Sequence, residues 1–258
     1  MNKPIYRHLA DLKWRHYPRK VLMQRISQLN VVPDVLPTID PTYSTAIRFT
    51  TPTRRFKVPH GDFVHSSVSE HAPTLDIQPY DKGERLVSIA VVNPDVANVE
   101  KDGFDYRCHF LACNIPISPS QTSVDLRELD PESQVLQSWL PPYVQKGLPY
   151  QRHAVFILEQ GAAIQNPHHT SPGALPKIDL AKLKTHRPDI AQREGFILRS
   201  LVDKLRLKPV GVDIFRSQWD DGTADLMRKY GIVGGDVEFR RKRVDPLPYQ
   251  RLKGSRFT

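Results

Sequence analysis

The sequence has few of the residues that build disulfide-rich, metal-bound or membrane-spanning proteins. It contains only two cysteines, Cys108 and Cys113, so it has neither a disulfide framework nor the paired cysteines of a zinc site. No apolar run reaches eighteen residues, which excludes a membrane-spanning helix. A glycine-rich phosphate loop and a nucleophile elbow are also absent. These absences exclude the enzyme classes that are recognised from such short motifs.

The remaining candidates for metal or redox chemistry are weak. Cys108 and Cys113 are an odd number of positions apart, which places them on opposite faces of a strand. We therefore expect two unpaired, buried thiols in a reducing compartment. His168 and His169 lie in a polar segment, residues 165–176, where adjacent side chains rarely converge on one ion. The sequence predicts no cofactor and no metal.

Positive charge is concentrated at the two ends of the chain. Residues 1–57 carry eleven Lys and Arg against three Asp and Glu, and residues 236–258 carry seven against three. The intervening residues carry nineteen against twenty-two, so the excess of +9 lies wholly in the ends. Basic arms on a mildly acidic body are typical of proteins whose arms contact a polyanion such as RNA.

The first residues lack the charged and apolar regions of a secretory signal. A mitochondrial presequence is not plainly visible either. We expect that a segment precedes Met1 in the complete protein or that import uses a weak signal.

Residues 1–59 are predicted to form an N-terminal extension of helices and an extended linker. Pro18 suits the first turn of a helix that runs to about Asn30, and Val21, Leu22, Ile26 and Leu29 form an apolar stripe on it. This stripe is equally consistent with a helix packed on its own domain. Four prolines in residues 32–53 predict an extended connector or an edge strand.

Residues 60–231 are predicted to form one α+β domain, an antiparallel β-sandwich with C-terminal helices. Apolar runs rich in Val, Ile and Phe over 86–92, 107–115 and 153–159 predict buried strands. Helices are predicted over 196–207 and from Asp220 to Gly231. Residues 232–258 are predicted to be an irregular basic tail.

Three ordered elements in this domain resemble the phosphatidylethanolamine-binding protein (PEBP) family. Asn93-Pro94-Asp95 followed by a strand from Cys108 to Asn114 resembles the first family signature. Gln151-Arg152-His153 resembles the Gly-x-His-Arg element, and residues 215–221 resemble the last strand and helix. The resemblance covers about 60–231 and implies the PEBP fold, with a pocket that binds a phosphate-bearing head group.

At the pocket positions, the resemblance implies a ligand site that has decayed. Asp95, His109 and Arg152 match the family, whereas Asn93 replaces an aspartate and Gln151 replaces a histidine. Phe104, Arg107, His153 and Gly222 also depart from the aromatic or tyrosine residues at their positions. Loss of a carboxylate, an ionisable ring and aromatic walls leads us to expect no small-molecule ligand. Asp95 is expected to cap a turn and to pair with Arg152.

The opening residues, including 5–9, 22–25 and 32–38, resemble the branch of this family found in the large subunit of the mitochondrial ribosome. That resemblance implies a non-enzymatic structural protein in the mitochondrial matrix, whose partners are ribosomal RNA and neighbouring ribosomal proteins. Its extensions would supply the RNA contacts. The candidate residues are Arg7, Arg15, Arg19, Lys20, Arg25, Arg54, Arg55, Arg240, Arg241, Lys242, Arg243, Arg251, Lys253 and Arg256.

Two alternatives remain at this point. The first is a soluble PEBP protein that binds phospholipid or another anion and acts in signalling. The second is a hydrolase that uses His109 and Asp95, although the sequence offers no nucleophile beside them. Segregated charge and the altered pocket favour the ribosomal protein over both.

Overall fold

Two antiparallel sheets form the body of the molecule. The computed structural model describes residues 3–51, 55–98, 100–161, 177–186 and 192–240. The larger sheet consists, in spatial order, of β7 (Val135–Gln137), β5 (Gly103–Ile117), β4 (Arg85–Asn98), β8 (Gln151–Glu159) and β9 (Lys208–Ser217). The predicted strands over 107–114 and 153–159 are thus confirmed as β5 and β8, which flank β4 inside the sheet.

The smaller sheet begins earlier in the chain than predicted. Its order is β2 (Arg55–Lys57), β1 (Ser44–Thr50), β3 (Thr74–Gln78) and β6 (Ser123–Asp125). Since β1 pairs on both sides, residues 44–50 are neither a connector nor an edge strand, and the predicted boundary at residue 60 falls inside the sandwich. Pro41 and Pro52 lie outside β1, so Ile47 and Phe49 alternate into the core without interruption.

The two faces of the larger sheet bury two separate apolar clusters. Between the sheets, Ile47 and Leu75 pack with Ile89, Phe110 and Val155. The outer face packs against helices, which explains why its strands are apolar on both sides. The sandwich is therefore a three-layer structure over the described residues.

The N-terminal extension supplies much of this helical layer. It contains α1 (Pro4–His16), α2 (Pro18–Gln28) and the single turn α3 (Val31–Asp34). Leu22 and Ile26 of α2 are fully buried in the outer cluster, and burial of each such side chain contributes about 1.5–3 kcal/mol. The apolar stripe of α2 thus packs on its own domain.

The remaining helices lie among the later strands. They are α4 (Ser66–Ser69), α5 (Leu180–His186), α6 (Leu198–Leu205) and α7 (Thr223–Lys229). The predicted helices over 196–207 and 220–231 are confirmed as α6 and α7, but β9 separates them, so the domain does not end in two consecutive helices. Gly231 has φ +65° and follows the last turn of α7, as a helix C-cap requires. Among the described residues, no helix has the length and apolar character needed to cross a membrane.

A bulge in β5 overturns the expected placement of the cysteines. Val91 pairs with Phe110 but Val92 pairs with Cys108, so His109 is an extra residue in the strand. This residue reverses the alternation of faces. Cys108 and Cys113 therefore both lie in the outer cluster, where both thiols are free and buried.

Candidate functional site

The positions that match the family's pocket divide between the two faces of the larger sheet. Gln151 and Asn93 form a neutral amide pair on the inner side, in which Asn93 Nδ2 donates to Gln151 Oε1 at 2.7 Å. Both residues are buried. A cavity of about 140 Å³ is lined by Gln151, Arg107 and Tyr143, among other residues. That volume is below the range of about 300–1,000 Å³ that is usual for small-molecule sites.

His109 contacts His153. Their rings meet edge to face with centroids 4.8 Å apart, and His153 stacks on Phe215. His109 Nδ1 is 2.8 Å from the carbonyl oxygen of Leu140, and His153 Nε2 is 2.7 Å from Ser217 Oγ. Burial lowers the pKa of His109 to about 3 and also lowers the pKa of His153. Both rings are therefore neutral at pH 7 and carry no charge toward a phosphate.

Arg152 faces the opposite side from Gln151, because successive residues of β8 alternate, and it meets Asp95 of β4 there. Arg152 Nε donates to Asp95 Oδ2 at 2.8 Å, and Nη2 donates to Asp95 Oδ1 at 2.5 Å. The guanidinium also bonds to the N-terminal extension: Arg152 Nη1 donates to the Leu29 carbonyl at 2.6 Å and to Asp34 Oδ2 at 2.8 Å. The hydrogen bonds to Asp95 are the main cause of the raised pKa of Arg152. The expected Asp95–Arg152 pair is present, and it binds the extension to the body.

The turn cap expected of Asp95 is made instead by Asn93. Asn93 Oδ1 accepts the backbone N–H of Asp95 at 2.8 Å, while the Asp95 carboxylate accepts the backbone N–H of Arg152 at 2.8 Å. Sequence reasoning did not identify Asp34 as a partner of this pair. Its only signal was that Asp34 is one of three acidic residues in the basic first 57.

Two other altered positions also have structural roles. Arg107 donates to the Tyr143 hydroxyl, and its Nε donates to Glu194 Oε1 at 2.7 Å. A side chain at Gly222 would begin 2.7 Å from Ser66 Oγ, so any larger residue at that position would require Ser66, which bonds to Asp220, to shift. The side chains that could have recognised an anion are thus neutral, bonded within the protein or missing.

Several of the basic candidates for RNA contact are already paired within the chain. Arg15 bonds to Asp11, and Arg19 bonds to Asp40 and to the Pro41 carbonyl. Arg240 pairs with Glu238. Lys20, Arg25 and Arg55 are exposed, whereas Arg7 is half-buried. The other candidates lie outside the described residues: Arg54, Arg241, Lys242, Arg243, Arg251, Lys253 and Arg256.

Within the described residues, no group of three or more His, Cys, Asp or Glu side chains is arranged to hold an ion. His168 and His169 lie outside that part of the chain.

Comparison with solved structures identifies the same architecture in proteins of low sequence identity. The phosphatidylethanolamine-binding protein from Plasmodium vivax superimposes with a TM-score of 0.53 at 13% identity, over 76% of this chain and 97% of that chain. The carboxypeptidase Y inhibitor, solved with its cognate proteinase, gives 0.54 at 12% identity, over 78% and 97%. At these identities the likeness shows the fold alone.

Comparison with sequences extends beyond the sandwich. Large ribosomal subunit protein mL38 of Schizosaccharomyces pombe is 26% identical over 247 residues, which is 95% of this chain and 71% of that protein. The family model described as phosphatidylethanolamine-binding protein matches residues 49–192, a span that holds β3, β4, β5 and β8, the neutral His109 and the Asp95–Arg152 pair. With the three-layer sandwich and the order of its signature elements, this match places the chain in the phosphatidylethanolamine-binding protein family.

Proposed function

We propose that this chain is a structural component of the large subunit of the mitochondrial ribosome and acts in the mitochondrial matrix without catalysing a reaction. The observation that carries the proposal is the extent of its likeness to mL38. That likeness spans 95% of the chain, whereas the family match stops at residues 49 and 192. The shared sequence therefore includes the extensions, which a fold comparison would not require.

The site geometry supports the same function. Arg152, the cation that matches the family's head-group element, is bonded to Asp95, Leu29 and Asp34. Because Arg152 bonds to two groups of the extension, the Leu29 carbonyl and Asp34, the extension is a fixed part of the surface, as an assembly component needs. The one cation that lines the inner cavity within the described residues, Arg107, is bonded to Glu194 and Tyr143, and the buried rings of His109 and His153 are neutral. We infer that the ligand site is inactive and that the body serves as a shaped surface.

The extensions are proposed to contact ribosomal RNA and neighbouring ribosomal proteins. The N-terminal extension has exposed cations at Lys20, Arg25 and Arg55. The tail from Arg240 onward holds seven Lys and Arg. Arg and Lys side chains bind phosphate through charge-assisted hydrogen bonds. RNA affinity is therefore expected to depend on the extensions more than on the acidic body.

Sedimentation tests the assembly directly. A tagged full-length chain, expressed in cells and recovered from mitochondrial lysate, is expected to migrate with the large subunit in a sucrose gradient. Migration only at the top of the gradient would contradict the proposal and favour a free ligand-binding protein.

A charge variant tests the role of the tail. Replacing residues 240–243 with alanine is expected to reduce incorporation into the large subunit. It is also expected to weaken the salt dependence of RNA binding, because the logarithm of the binding constant falls against the logarithm of the salt concentration with a slope of about 0.9 per neutralised phosphate on duplex. The melting temperature of the body should stay unchanged. The matched control removes four exposed cations of the body, namely Lys101, Lys182, Arg199 and Arg228. Equal effects from both variants would contradict a special role for the tail.

A further inference from the structure

A second cleft lies on the outer side of the larger sheet, where the extension meets the body. It has a volume of about 300 Å³ and is lined by residues 28–30, Asp34 and the side chains of Asp95, Phe104, Tyr150 and Arg152. It is distinct from the inner cavity beside Gln151, because one wall comes from the extension. Its volume is at the lower limit of small-molecule sites.

Two exposed aromatic rings line this cleft. Phe104 is 66% exposed and Tyr150 is 43% exposed, although burial of each ring would be favourable. Tyr150 is held by two neighbours: its ring meets Phe63 edge to face at 5.9 Å, and the Arg216 guanidinium lies over the ring, 5.0 Å from its centroid. Phe104 and the exposed part of the Tyr150 ring provide aromatic surface against which a planar group can pack, and a ring already held in place loses little entropy when it does so.

The rest of the lining is polar and hydrogen-bonding. Asp34 supplies a carboxylate, and Gln28 and Asn30 supply amides, whereas both oxygens of Asp95 already accept from Arg152. Asp34 accepts from Arg152 through Oδ2, and a carboxylate has further lone pairs that can accept an amino group. Planar aromatic walls with polar groups at the edge are how proteins bind an unstacked nucleobase, by stacking on its face and hydrogen bonding to its edge.

We propose that this cleft receives one unpaired base of an RNA single strand, an inference that rests on the proposed ribosomal function and specifies one of its contacts. Arg25 stands beside the cleft as an exposed cation, with Nη1 3.4 Å from Gln28 Oε1, in position for the phosphate that follows the base. The Asp34 carboxylate favours bases that carry an exocyclic amino group, namely adenine, cytosine and guanine. Uracil has no such group and is disfavoured.

An abasic strand separates base binding from phosphate binding. Fluorescence anisotropy would compare the full-length protein's affinity for a labelled oligoadenylate, an oligouridylate and an abasic strand of equal length. Because the backbone charge is the same in all three, contacts of the basic extensions cancel. The oligoadenylate is expected to bind roughly five- to 150-fold more tightly than the abasic strand, the range for one stacked base, and more tightly than the oligouridylate.

Variants locate the effect. Phe104→Ala is expected to remove most of the preference for the oligoadenylate and to leave the abasic affinity unchanged. Ile197→Ala is the control, since Ile197 is 58% exposed but lies outside the cleft, and it should leave all three affinities unchanged. Equal affinity of the wild type for the oligoadenylate and the abasic strand would overturn the proposal, as would a preference that survives Phe104→Ala. Both results are independent of sedimentation with the large subunit, so the two proposals can fail separately.

Discussion

Arg152 joins the N-terminal extension to the body, and replacing it with glutamine tests that role. Its side chain is 14% exposed and that of Asp95 is 18% exposed. Removing one partner of a fully buried ion pair costs about 3–5 kcal/mol, whereas an exposed pair contributes about 1 kcal/mol or less. Since this pair is mostly but not wholly buried, Arg152→Gln is expected to lower the free energy of unfolding by about 2–3 kcal/mol.

Asp34→Asn is the matched variant on the extension side of the same contact. Asp34 is 39% exposed, and the substitution leaves the Arg152–Asp95 pair and the bond to the Leu29 carbonyl intact. We expect it to cost only about 0.5–1 kcal/mol, as exposed pairs do. The difference in unfolding free energy between the two variants separates the contribution of the Arg152–Asp95 pair within the body from that of the attachment of the extension.

Urea unfolding of the full chain at pH 7 measures both free energies, and amide hydrogen exchange locates the loss. Exchange in α2 should accelerate in both variants, whereas β4 and β8 should be affected only by Arg152→Gln. The reasoning would be refuted if Arg152→Gln changed the free energy by less than about 0.5 kcal/mol, the usual range for surface substitutions. It would also be refuted if Asp34→Asn cost as much as Arg152→Gln.

Three further predictions concern the positions that match the family's pocket. Burial lowers the pKa of His109 from its ordinary value of 6.5 to about 3. Between these two pH values the unfolded chain takes up a proton that the native chain does not. The free energy of unfolding therefore falls as the pH drops from 6.5 toward 3, by up to about 1.4 kcal/mol per pH unit. His109→Gln should make that decline shallower in urea titrations, and an unchanged slope would contradict the assignment. Gly222→Ala should cost about 1–3 kcal/mol in thermal melting because its Cβ would lie 2.7 Å from Ser66 Oγ; wild-type stability would show that the site has room. Calorimetry of the full chain with phosphoethanolamine should detect no binding, and micromolar affinity would overturn the inference of an inactive site.

The fold was largely predictable because its strongest signals are local and continuous. The apolar runs of β5 and β8 and the stripe of α2 were identified from periodicity, and the order of the signature elements identified the family. The prolines made the prediction for β1 wrong. Pro41 and Pro52 flank the strand, and counting the prolines over residues 32–53 hides the proline-free stretch between them in which β1 forms. The bulge at His109 was beyond reach as well, because an extra residue in a strand changes pairing without changing the apolar pattern.

The site was less predictable because its contacts are between residues that are distant in the chain. The pairing of Asp95 with Arg152 followed from opposite charge at two family positions. The attachment of Asp34 and the Leu29 carbonyl to the same guanidinium did not follow, since a backbone carbonyl carries no sequence signal. Likewise, the His109–His153 contact depends on the bulge that places the His109 ring between the sheets.

The attachment of the extension to Arg152 sets an order for folding. Leu29 and Arg152 are 123 positions apart, and Leu22 and Ile26 are covered by strands that follow them in synthesis. Contacts of such large separation form late, after the chain between them has collapsed. We therefore expect the first helices to be made to be among the last to dock, with their apolar stripe open to chaperones and to aggregation until β8 is available. A chain truncated before β8 should remain unfolded and bind chaperones, even though its N-terminal residues are intact.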